Sequence, residues 1–195
     1  MKKVPAIASV TDHETQGRRL YNDIYLIPED AVDLSTEPTI DDSARTMEAL
    51  SVKEGEAWVK HQAVKFTPSD TNEGQGGDIT TDVTGTLAYT VGGDRPEIDD
   101  FLENQHGRGF YIGVTDRVSG KKKIYGRPRC PYYFQNHSRR KNGENTSCDI
   151  TFTSPFIYQP LEYLGDFFTT PVTPQIVEET PGETPGETPG QEENN

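Results

Sequence analysis

The stretch ITTDVTGTLAYTV, residues 79–91, decides the fold. Positions 79, 83, 87, 89 and 91 are Ile, Val, Leu, Tyr and Val, whereas 80, 82, 84, 86 and 90 are Thr, Asp, Thr, Thr and Thr. Side chains alternate between the two faces of an extended chain, so this pattern predicts a long strand with one face buried. Phe110, Ile112 and Val114 repeat the alternation, and so do Cys148, Ile150 and Phe152 against Asp149, Thr151 and Thr153. The stretches 20–27 (LYNDIYLI) and 57–66 (AWVKHQAVKF) are less regular but rich in aromatic and β-branched residues, which strands favour. Turn signals separate these runs at residues 73–77, Gly92-Gly93-Asp94, Ser119-Gly120 and Lys141-Asn142-Gly143.

One helix is marked between the strands. Asp94 and Glu97 have capping-box spacing, Pro96 suits the first turn, Ile98, Phe101 and Leu102 share a stripe, and Gly107 supplies a left-handed stop. A second, weaker helix is expected over residues 42–50, with Asp42 or Ser43 as its cap. A long loop is expected between the 107–126 hairpin and the strand at 148–153. The connections are too short for repeated βαβ crossovers, which leaves a mainly β, antiparallel sandwich or small barrel with one short packed helix.

Composition sets the limits of that domain. Apolar residues make up 31% of the 195, and Leu, Ile, Val and Phe together only one in five, so the apolar side chains must be concentrated for a core to form. The chain divides into an N-terminal arm (1–19), the β domain (20–168) and a Pro/Gly/Glu-rich tail (169–195). Within the tail three Glu-Thr-Pro-Gly copies, residues 179–190, predict an extended, disordered acidic appendage, because Pro at every fourth position blocks helix and nothing apolar is present to bury. No run of 18 uncharged apolar residues exists, so no membrane partner is expected, and the stretch after Lys3 is broken by Pro5 and too short for a secretory leader. Two cysteines, Cys130 and Cys148, are too few for a disulfide scaffold, although one bridge stays open.

No pattern of reactive side chains emerges. Gly120-Lys121 follows a strand, but six residues separate it from Gly113 and Lys122 stands where a phosphate loop needs a hydroxyl. Cys130, His137 and Cys148 are three potential zinc ligands at spacings of seven and eleven, without the tight pairs of a structural site. His13, His61 and His106 lack a nucleophile at a fixed spacing. The acidic pairs Asp41-Asp42 and Asp99-Asp100 read as solvated faces. Asn136-His137-Ser138 and Asn145-Thr146-Ser147 match glycosylation sequons but should stay bare without a leader. The sequence therefore points to a non-enzyme with no cofactor, no metal and no catalytic residue.

Charge is the more informative signal. The net charge is −13, and residues 178–195 contribute −6 of it. Residues 68–104 carry −8 and residues 108–141 carry +9. The basic block, interleaved with Tyr111, Tyr125, Tyr132, Tyr133 and Phe134, has the texture of a single-strand nucleic-acid binder, but the acidic domain around it opposes phosphate. Alternatively the two blocks pair inside one fold. A third arrangement places them on opposite sides, so that copies dock head to tail and close into rings or filaments. The interface candidates are then Arg117, Lys121, Lys122, Lys123, Arg127 and Arg129 on the basic side and Asp70, Glu73 and Asp78 on the acidic side.

The order of elements carries a resemblance. The strand DITTDVTGTLAYTV, the helix opened by Asp94-Arg95-Pro96-Glu97, the hairpin GRGFYIGVTDRVSGKKKIYG, a loop and the strand CDITFT together resemble bacteriophage tail tube (major tail) proteins, especially of phages and prophages of gut anaerobes. That resemblance covers about half of the chain and implies a β-sandwich or small barrel flanked by one helix. It implies further that six subunits complete an inner ring of strands and that rings stack into a tube through which DNA passes without specific binding. The partners would be other copies of the chain and other phage tail proteins, the location the virion tail, assembled in the bacterial host cytoplasm. The family's long ring-contacting hairpin or loop would correspond to residues 117–129 or 67–78. The acidic tail is not needed by that fold, and the alternatives are a tail adaptor or terminator, or a monomeric β-domain binding module with an acidic recruiting tail.

Overall fold

A computed structural model of the chain describes residues 20–76, 81–117, 119–141, 146–155 and 158–170. The expected arm and nearly all of the expected tail lie outside the described residues. The strands are β1 (Leu20–Pro28), β2 (Ile40–Asp41), β3 (Thr46–Met47), β4 (Val59–Gln62), β5 (Ser69–Gly76) and β6 (Thr81–Gly92). After helix α1 (Pro96–Asn104) come β7 (Gly109–Asp116), β8 (Lys122–Tyr125), β9 (Tyr132–Lys141), β10 (Thr146–Ser154) and β11 (Leu161–Tyr163). All eleven strands join one sheet in the order β2-β3-β11-β8-β7-β9-β10-β6-β5, with β1 joining β7 to β4. Every pairing is antiparallel except β11 with β3. The protein is mainly β with one packed helix, as the alternation implies.

β7 is the hub. One edge pairs with β1, and the other is shared by β8, along residues 112–115, and β9, at Gly109 and Phe110. The sheet divides there and folds back on itself, so that β1 and β7 face β6 and β10 across a core that includes Ile24, Leu26, Phe110, Ile112, Val114, Leu87, Tyr89, Val91, Ile150 and Phe152. Helix α1 closes this core with Ile98, Phe101 and Leu102. A second cluster covers the opposite face of β1 and β7, where Ile27 and Tyr111 pack with Trp58, Met47, Ile124, Leu161 and Tyr163. β7 is thus buried on both faces, which the alternation of Phe110, Ile112 and Val114 does not reveal.

Several local expectations change. Helix α1 has Pro96 in its first turn, but Arg95 occupies the cap and no side chain caps the backbone. The carboxylate of Asp94 is engaged by Arg139 and Lys141 instead. Gly107 does take a left-handed φ of 76° beyond the helix end. Residues 42–50 form no helix. Asp41 accepts hydrogen bonds from the backbone of Ser43 and Ala44 and from the Ser43 hydroxyl, which tightens the β2–β3 turn; the side chains suited to a helix cap organise a hairpin instead. The expected long loop before β10 contains β9, and Cys130 and Cys148 are both free thiols.

Candidate functional site

Strands β9, β10, β6 and β5 form a layer with two dissimilar faces. Cross-strand partners share a face, so Ile150 with Tyr89, Phe152 with Leu87, and Cys148 with Val91 mark the inner one. The outer face is read off the same registers: Tyr133, Thr153, Thr86 and Thr71 form one row across four strands, and Asn136, Thr151, Ala88 and Ser69 form the next. Ser138, Asp149 and Thr90 follow, and the Thr90 hydroxyl donates to Asp149 at 2.6 Å. Short hydroxyl side chains dominate. The charged residues that these registers place on this face are Arg140, held 3.9 Å from Asp149, with Asp149 itself, Glu73 and Asp82.

Among the described residues both margins of this layer are open: β5 pairs with β6 only, and beyond Phe134 β9 pairs with β10 only, because β7 has already diverged. The register of β9 shifts between Thr151 and Phe152, and the residues from Gln135 to Ser138 are exposed. Such a shift sharpens twist and lifts an edge away from its former neighbour. The two open edges differ: Arg139, Arg140 and Lys141 end β9, while Asp70 and Glu73 lie on β5.

The sequence-derived interface candidates occupy different surroundings. Lys121 pairs with Glu162 at 2.6 Å, Lys122 with Asp166, and Lys123 with Asp116 at 3.1 Å. Arg127 pairs with Asp42 at 2.9 Å and lies over the Tyr158 ring, and Arg129 pairs with Glu37 at 2.7 Å. The Arg117 guanidinium sits 5.4 Å from the Tyr21 ring centre. Asp70 accepts the Tyr125 hydroxyl at 3.0 Å, tying β5 to β8 across the inner side. Glu73 is exposed on β5, and Asp78 lies outside the described residues. The basic hairpin is therefore largely neutralised within its own fold. Its partners Glu37, Asp42, Asp116, Glu162 and Asp166 come from outside the 68–104 acidic block.

Nothing in the described structure assembles reactive groups. Among the described residues, no group of three or more His, Cys, Asp or Glu side chains could hold a metal ion. A cleft of about 450 Å³ is lined by Glu29, Asp30, Asp33, Lys53 and Arg108, but Arg108 is taken by Asp30, at 2.6 and 2.8 Å, and by Gln105. Burial pushes the Cys148 thiol up to about 11, the opposite of an activated nucleophile. His61, fully buried, sits 2.8 Å from the Tyr89 hydroxyl against the Phe101 ring, as part of the core. No helix among the described residues is long and apolar enough to cross a membrane. No family model, no curated protein and no solved structure matches this chain.

The open edges escape sequence reasoning because SDTNEGQG and QNHSRRK do not alternate. Strands beyond the edge of a core have no apolar face to display. Polar β-capable runs on either side of the Lys141-Asn142-Gly143 turn signal are the one cue available.

Proposed function

We propose that this chain is a non-enzymatic virion structural protein whose copies join head to tail into stacked rings, hexameric in the family it resembles, to form a phage tail tube. The observation carrying this reading is the β9–β10–β6–β5 layer with its two unlike open edges. Each open strand presents unpaired backbone N–H and C=O groups, and a natural protein leaves such edges only where something covers or repels them. Pairing β9 of one copy with β5 of the next satisfies both. Because the joined edges differ, the contact is heterologous and propagates until the rotation closes a ring.

The outer face of the layer supports the same reading. In a closed ring this face would line the bore, where DNA must slide without adhering. Phosphate adhesion depends on arrays of Lys and Arg that displace counterions, and the rows of Thr, Ser and Asn offer no such array. The chain's net charge of −13 opposes adhesion at longer range.

Negative-stain microscopy and sizing of the purified chain at rising concentration test the proposal. Rings or tubes are expected, and Asn72→Pro in β5 or His137→Pro in β9, whose N–H groups point away from β6 and β10, should abolish them while the far-UV spectrum is retained, since proline cannot donate to a ladder. A species that stays at 21.7 kDa at every concentration overturns the proposal in favour of a monomeric binding module.

A further inference from the structure

We propose that His106 and His137 form a surface site for a borderline divalent transition metal such as Zn²⁺, Ni²⁺ or Cu²⁺. His106 leaves the end of α1 and His137 lies on β9; both are exposed, and their ring centres are 6.1 Å apart. A metal ion about 2.1 Å from one nitrogen of each imidazole lies about 3.2 Å from each ring centre, so two rings on one ion have centres between about 4.5 and 6.4 Å apart. The observed separation lies inside that interval.

The surroundings hold the pair in place. The Gly107 N–H donates to the Phe134 carbonyl at 2.7 Å, fixing the turn that carries His106 against β9. The Phe134 ring packs beside both imidazoles, with centres 5.2 Å from His106 and 6.1 Å from His137. Arg139 shares the inward-facing side of β9 with His137, but Asp94 and Asp99 engage its guanidinium, so its charge opposes a bound cation less. Two imidazoles leave the remaining coordination positions to water, and such a site should follow the usual order, Cu²⁺ above Ni²⁺ above Zn²⁺. The site bridges α1 and the open half of β9, so a bound ion would stiffen that edge.

Calorimetric titration of untagged full-length protein with nickel and zinc chlorides tests this. One ion per chain is expected near neutral pH. His106→Ala and His137→Ala should each weaken binding roughly tenfold or more, and the double variant should add little to either, because one imidazole alone is a poor site. His13→Ala should change nothing. Far-UV spectra check that the variants fold. Absence of binding, equal binding by wild type and double variant, or loss of binding in His13→Ala overturns the proposal.

Discussion

A single missing methyl group at Gly113 decides how the second core closes. A Cβ there would lie 2.3 to 2.9 Å from three carbons of the Phe167 ring, closer than any real contact. That ring stacks on Tyr25 at 4.8 Å and on Tyr163 at 5.1 Å, and meets Trp58 edge-on. Gly113→Ala should therefore expel Phe167 and destabilise the fold by about 1 to 3 kcal/mol, the usual range for overpacking. Phe167→Ala removes the obstruction, so adding Gly113→Ala to it should cost much less than adding it to wild type. Thermal melts of the four proteins measure the coupling. Equal costs in both backgrounds would mean that the ring does not set the requirement. Cys148 yields a second expectation at this scale. Its pKa of about 11 and its burial predict that a thiol reagent at about pH 8 labels half-exposed Cys130 in the native protein and spares Cys148 until the chain unfolds. Labelled peptides identified by mass spectrometry give the answer.

At the scale of the element, α1 is held by charge on one side and by the core on the other. Ile98, Phe101 and Leu102 point inward, while Asp94 and Asp99 are clasped by Arg139 of β9 and Asp94 also by Lys141. Lys141, with Arg139, holds the Asp94 carboxyl below the usual carboxylate range. A lowered pKa means that this contribution is present above the unfolded value near 3.8 and fades as pH falls through the folded value. Arg139→Gln should destabilise the protein by about 1 kcal/mol or less, since the acids are exposed, and should speed hydrogen exchange in α1 more than in β7. Uniform acceleration would locate the effect elsewhere. This helix also shows what the sequence makes legible. Its apolar stripe follows from packing and is read correctly, and so are β1, β6, β7 and β10, each with residues committed to a core. The cap at Asp94 is misread because a residue 45 positions away competes for its carboxylate, and the helix expected over 42–50 is misread because Asp41 satisfies a turn with the same hydrogen bonds a cap would make. β5 and the outer half of β9, which matter most for the candidate site, have no apolar pattern to read.

For the whole molecule the balance of buried protons gives the clearest test. Burial raises the phenols of Tyr111 and Tyr132 to about 12 and shifts Tyr89 and Tyr125 well upward, with Asp70 adding to the rise at Tyr125; Tyr163 is raised as well. Cys148 follows the same direction for the same reason. In the unfolded chain these groups release protons near their ordinary values, 10.0 for the phenols and 9.0 for the thiol, while the fold retains them. The unfolded state then binds fewer protons than the native one, so stability is full below about pH 9 and falls as pH rises toward about 12. Each released proton also adds negative charge to a molecule already at −13, which favours expansion further. In an alkaline titration, phenolate absorbance from the buried tyrosines should rise together with the loss of the far-UV signal, as one transition. A gradual phenolate rise completed while the β spectrum persists would show that these rings reach solvent without unfolding. It would follow that the two cores flanking β7 are looser than the interlocked rings of Tyr25, Trp58, Tyr163 and Phe167 require.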